Sequence, residues 1–124
     1  MTTLDGFSIA TVGEFVGREF GISDWITVDQ ETIDKFVEST GGDQWIHVDV
    51  GPATRETPYG TTIAHGFLIL SFGEAAVDRR GRAAQAINFG LGRVRFIAPV
   101  KSAETASATG WSCSRRRRRA RGAS

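Results

Sequence analysis

Between residues 22 and 40 the hydrophobic period of the chain changes. In ISDWITV, residues 22–28, apolar positions alternate and put Ile22, Ile26 and Val28 on one face, which predicts a strand. After Asp29 the spacing becomes helical: Ile33, Phe36, Val37 and Thr40 fall at i, i+3, i+4 and i+7, while Glu31, Asp34, Lys35 and Glu38 face water. Asp29 is a good N-cap for this helix of residues 30–39, and Gly41-Gly42 stops it. Upstream, Thr11-Val-Gly-Glu14 reads as a capping box opening a short turn that Gly17 ends. Residues 51–60, GPATRETPYG, read as a polar connector punctuated by Pro and Gly.

The next segment, from His65 to residue 80, is apolar nearly all the way round. Phe67, Leu68, Ile69, Leu70, Phe72, Ala75, Ala76 and Val77 cannot share one face, so this helix must be buried or wrapped by a sheet. Arg79 and Arg80 suit its C-terminal dipole and Gly81 its end. Residues 86–96, AINFGLGRVRF, predict a long strand. Ile87, Phe89 and Leu91 share one face, and beyond Gly92 the phase passes to Val94 and Phe96, which marks a bulge or bend. Gly90-x-Gly92 lacks the third glycine and the following helix of a dinucleotide fingerprint.

Length and composition add bounds. At 124 residues the chain fits one domain with its own core. A single cysteine, Cys113, excludes an internal disulfide and a cysteine-based metal cluster, which suits a reducing cytoplasm. The N-terminal residues lack the basic and apolar regions of a signal peptide, and no apolar run is long enough to span a bilayer. The net charge of +1 conceals two parts: residues 1–110 hold 9 Lys/Arg against 14 Asp/Glu, and residues 111–124 hold 6 Arg and no acid. Residues 101–124 are rich in Ser, Ala and Arg and show no sustained alternation, which predicts disorder.

The densest chemistry lies in residues 40–49, TGGDQWIHVD. Asp43 and His47 are four apart, and His47 and Asp49 flank one valine. A carboxylate and an imidazole held together move protons near neutral pH. The plainer alternatives are a buried, hydrogen-bonded histidine and an aspartate that forms a turn. The stretch is predicted to be a loop just past a helix C-terminus, where a rigid scaffold often places functional groups. His47-x-Asp49 together with His65 also has the composition of a two-histidine, one-carboxylate iron site. A buried helix that begins at the second histidine argues against that frame.

TGGDQWIHVD, YGTTIAHGF and VRFIAPV, in this order and spacing over residues 12–100, resemble the MaoC-like hydratase/dehydratase family, in its branch of (R)-specific enoyl-coenzyme A hydratases and nodulation protein N-like members. The resemblance implies an α+β hot-dog fold, a curled antiparallel sheet around one long apolar helix. It implies hydration of trans-2-enoyl thioesters and dehydration of 3-hydroxyacyl thioesters, with no metal or redox cofactor. The partners it implies are a coenzyme A or acyl carrier protein thioester and a second copy in a homodimer; neither membrane nor nucleic acid is expected. The family supplies an Asp and, five residues later, a His, and the His aligns with His47. The position five before it is Gly42, so Asp43, one residue closer, is the available substitute. The glycine of the I-A-H-G motif, which offers its N–H to the thioester oxygen, aligns with Gly66. His65 is read as orienting the loop.

The missing acid leaves a second reading open, that of a degenerate, non-catalytic hot-dog protein that still binds acyl thioesters. The arginines at 115–119 support nucleic-acid binding only weakly, since they carry no aromatic partners or folded frame. By the resemblance, residues 1–101 form the hot-dog domain without its last strands. Residues 102–124 form a low-complexity tail whose abrupt change of charge fits a frame-shifted end.

Overall fold

The computed structural model describes residues 6–8, 10–78, 87, 89–103, 106–107 and 110–112. Among these the architecture is mixed α and β: four α-helices and two antiparallel strand pairs that join residues 19–27 to residues 106–112. Helix α1 is Gln30–Thr40, α2 Trp45–Val48, α3 Val50–Glu56 and α4 Gly66–Asp78. Strands β1 (Glu19–Ile22) and β2 (Ile26–Thr27) pair with β4 (Gly110–Ser112) and β3 (Ala106–Ser107) respectively. β1 and β4 hold Gly21 opposite Trp111 and Ile22 opposite Gly110, with a register irregularity between Glu19 and Gly21.

Helix α1 forms as its pattern predicts. The Asp29 carboxylate accepts from the Thr32 backbone N–H at 2.8 Å and from the Thr32 hydroxyl at 2.6 Å, and these bonds hold its carboxyl below the usual range. At the other end Gly41 adopts the left-handed conformation (φ +73°) and donates its N–H to the Val37 carbonyl at 2.7 Å. The stripe buries Ile33 completely, whereas Thr40 stays exposed and returns its hydroxyl to the Phe36 carbonyl. Ile33 meets Val28, Ala64 and Leu68 in the core, with Phe36, Ile69, Phe72 and Val100 packed around them. Helix α4 thus inserts its apolar first turns beneath α1. Its predicted arginines and Gly81 lie outside the described residues.

Several expectations need correction. Thr11 caps no helix with its side chain: the hydroxyl donates to the Gly6 carbonyl at 2.6 Å, and only a short 3-10 helix, Val12–Phe15, follows. Gly17 does end it at φ +86°. The single strand expected at 22–28 is two strands, because the chain turns through residues 23–25 and each piece takes a different partner. Residues 45–48 form a helical turn rather than loop, and residues 50–56 form α3 rather than a connector. Pro52 fits there because it occupies the first turn, where an N–H has no helical partner to lose.

The strand expected at 86–96 is absent among the described residues. That stretch exposes its apolar side chains instead, with Ile87 89% and Phe89 92% accessible. A strand exists only by pairing, and hydrophobic alternation does not supply a partner. Conversely, β3 and β4 fall where the sequence predicts disorder; residues 113–124, including Cys113 and the arginine run, lie outside the described residues.

Candidate active site

Residues 61–65 pass behind α2 and bring the candidate groups together. The Ile63 N–H donates to the Ile46 carbonyl at 3.1 Å, and the Ala64 N–H to the Val100 carbonyl at 2.8 Å. This crossing places His47 against Ile63, where Nδ1 bonds to the Ile63 carbonyl at 2.6 Å. A carbonyl can only accept, so Nδ1 carries the proton and Nε2 of neutral His47 keeps a lone pair. Desolvation pushes the His47 imidazole below its ordinary value, and charge at His65 adds to this; the bond to Ile63 opposes both. His47 therefore sits as a neutral base near pH 7.

A sign follows for stability. Because the folded value is depressed below 6.5, the unfolded chain takes up the proton more readily. The stabilisation is fully present above the ordinary histidine value and is lost as pH falls through the folded value. Urea midpoints measured from about pH 7.5 down to about pH 5 should fall, and His47→Ala should flatten part of that slope. An unchanged slope in the variant would show that His47 is not perturbed.

The second imidazole lies directly beneath the first. His65 and His47 stack with ring centroids 3.7 Å apart and planes at 26°. His65 donates through Nε2 to the Gly42 carbonyl at 2.6 Å, which ties the loop after α1 to the start of α4. Asp43, by contrast, is exposed, and its carboxylate accepts no hydrogen bond among the described residues; its backbone N–H bonds to Gly41. Asp49 is exposed too. No group of three His, Cys, Asp or Glu side chains among the described residues is arranged to hold a metal ion, and the iron-site constellation is not assembled.

A cavity of about 290 Å³ opens beside His47. Tyr59, Gly66, Ile69 and Phe96 contribute to its wall, with residues 97–100 beside them. Gly66 is the first residue of α4, and among the described residues its N–H meets no acceptor. First-turn N–H groups lack helical partners, and the dipole makes them attractive to negative charge. A Cβ on Gly66 would lie 2.8 Å from the Phe96 ring, so glycine is what lets that ring rest on the turn. His47 and Gly66 thus line one cavity, and Asp43 lies outside it.

Sequence reasoning missed the support behind His47. Gln30 donates through Nε2 to the His47 carbonyl at 2.8 Å and to Asp34 Oδ1 at 2.9 Å, while its Oε1 accepts from the hydroxyl of fully buried Thr62. The signal was a polar residue on the first turn of α1 and a threonine immediately before Ile-Ala-His; only the fold makes them meet. Gln30→Leu strands both the Thr62 hydroxyl and the His47 carbonyl. A loss of about 1–3 kcal/mol in urea unfolding is expected, partly recovered by adding Thr62→Val. No loss would mean that water satisfies both groups.

Comparison with known proteins fits this arrangement. The family model of the MaoC like domain matches residues 11–123, and the chain belongs to that family. Nodulation protein N of Rhizobium leguminosarum bv. viciae is 46% identical over 99 residues, 77% of this chain and 62% of the relative. Nodulation protein N of Rhizobium meliloti (strain 1021) is 41% identical over the same shares. The 3-hydroxyacyl-thioester dehydratase Z of Mycobacterium tuberculosis (strain ATCC 25618 / H37Rv) is 41% identical over 105 residues, 82% of this chain and 69% of that protein. The chain spans about three fifths of the length of the nodulation protein N relatives. No described helix is long and apolar enough to cross a membrane.

Proposed function

We propose that the chain hydrates trans-2-enoyl thioesters and, in reverse, dehydrates 3-hydroxyacyl thioesters, on a hot-dog frame that works as a cytoplasmic homodimer. The observation that carries this reading is the cavity lined by both a neutral imidazole and an unpartnered helix N-terminus, His47 and Gly66. The dimer draws support from Ile87, Leu91 and Ile97, apolar side chains left in water by a single chain.

The substrate carbonyl oxygen rests on the Gly66 N–H. His47 Nε2 takes a proton from water as its oxygen bonds to the β-carbon. The π electrons move through the α-carbon to the carbonyl oxygen, where the N–H and the α4 dipole stabilise the enolate. The imidazolium then returns its proton to the α-carbon, so the sum is addition of one water. His47 performs both transfers, and its depressed proton affinity favours the second. Asp43 serves as water-holding acid only if the loop turns it toward the cavity, a motion that Gly41 and Gly42 permit. The acyl carrier is coenzyme A or acyl carrier protein.

Gly42 in place of the acid favours a second reading, thioester binding without turnover. Crotonyl-coenzyme A distinguishes the two. Loss of enoyl absorbance with folded protein supports hydration; heat of binding without absorbance loss supports the binder.

A further inference from the structure

His65 has more contacts than a space-filling ring needs. Its Nε2–H is bonded to Gly42 at 2.6 Å, its face is stacked on His47 at 3.7 Å, and Phe36 of α1 lies against it at 5.0 Å. With the proton committed to Nε2, neutral His65 keeps a bare Nδ1, and this atom is buried with no partner among the described residues. A phenyl ring would stack as well without an orphaned acceptor, so the position retains imidazole at a cost. The gain lies at the loop. Among the described residues, residues 41–44 are otherwise held only by bonds to α1, to α2 and to one another, through Val37, Thr40, His47 and Gly41. His65 is the one tether from the α4 side.

We propose that His65 is a positioning residue for the hydration chemistry, which locks the 41–44 loop to the start of α4 and fixes the ring plane of His47. The proposal rests on the reading of His47 as the base. Three elements converge on that contact: the loop through Gly42, α2 through His47 and α4 through the residue that precedes Gly66. The imidazole and the N–H that receives the enolate are thereby held in one rigid relation. A displacement of about 1 Å there costs roughly a hundredfold in rate. The other titratable groups around His47 are Asp43 and Asp49 beside it in the chain, Tyr59 on the cavity wall, Asp34 through Gln30, and Lys101 through its pairing with Ile63; of the two histidines, protonated His65 would oppose a second proton on His47.

The test compares the full chain with His65→Phe and His65→Gln. Phe keeps a stacking ring and removes the donor to Gly42; Gln places an amide N–H near the position of Nε2 and removes the ring. The chain has two histidines, so His47 is alone in either variant and its proton resonance can be followed against pH. The midpoint should rise in both variants. With crotonyl-coenzyme A, kcat should fall by about tenfold or more in His65→Phe with KM within about twofold, and His65→Gln should recover only the share that the Gly42 tether carries. A His65→Phe kcat equal to that of the unsubstituted chain overturns the proposal. Should the unsubstituted chain hydrate nothing, the hydratase reading fails by that result alone. Backbone amide exchange in residues 41–44 then decides the positioning claim: faster exchange there in His65→Phe that His65→Gln reverses upholds it, and unchanged exchange removes it.

Discussion

Replacing His47 by alanine is expected to lower crotonyl-coenzyme A hydration by about two to four orders of magnitude, the range general acid–base catalysis supplies. The variant loses both the lone pair at Nε2 and the donor to the Ile63 carbonyl. Its unfolding curve must therefore be measured beside its rate, so that a folded, slow enzyme is told from an unfolded one. The Gly66 N–H is untouched by the change, so KM should move far less than kcat. Added imidazole should restore part of the rate, since alanine opens space beside the cavity for a free base. Equal rates for the two proteins across pH would remove His47 from the chemistry altogether. The wider family match and the dehydratase relative would then describe the ancestry of the chain and not its site.

What the sequence made legible is what local geometry decides. Asp29 and Gly41 announce the two ends of α1 because capping needs only residues within one turn, and both behave as expected. The apolar circumference of 66–78 announces a helix buried all round, and the helix is buried only in part: Leu68 is in the core, whereas Phe67 is 68% accessible. The failures share a different cause. Residues 86–96 carry strand-like alternation, yet pairing depends on a partner that periodicity does not name, and Ile87 and Leu91 end in water. Residues 106–107 and 110–112 lack alternation and are paired nonetheless, because β2 and β1 offer them edges. Pro52 misled by its usual role as a breaker, which a first-turn position cancels.

The site divides in the same way. His47 and Gly66 were visible from their motifs, and the fold brings both to one cavity. Asp43 was visible as the nearest acid in the chain, but proximity in sequence did not put its carboxylate at the imidazole. Gln30 and Thr62 were invisible because 32 positions separate them, and their hydrogen bond exists only once α1 packs across the 61–65 crossing.

Gly42→Asp is expected to raise the hydration rate by about tenfold or more, because among the described residues no carboxylate is bonded to either imidazole and the change supplies one beside them. The backbone admits the change: Gly42 is not in the left-handed region, and a Cβ there would stand 3.4 Å from His65 Nε2 and 3.5 Å from Thr40 Oγ1, ordinary contact distances. The new carboxylate would compete with the Gly42 carbonyl for the His65 N–H and would bring negative charge to a stacked pair that now holds none. Opposite charge favours the protonated imidazole, so the midpoint of the rate–pH profile should move upward along with the rate. The two readouts separate the causes. A raised midpoint without a faster rate would mean that the charge reaches the imidazoles but water is not held for attack, which favours the thioester binder. Neither change in a folded variant would mean that the loop carries position 42 away from the pair, and that the missing acid is not what limits this chain.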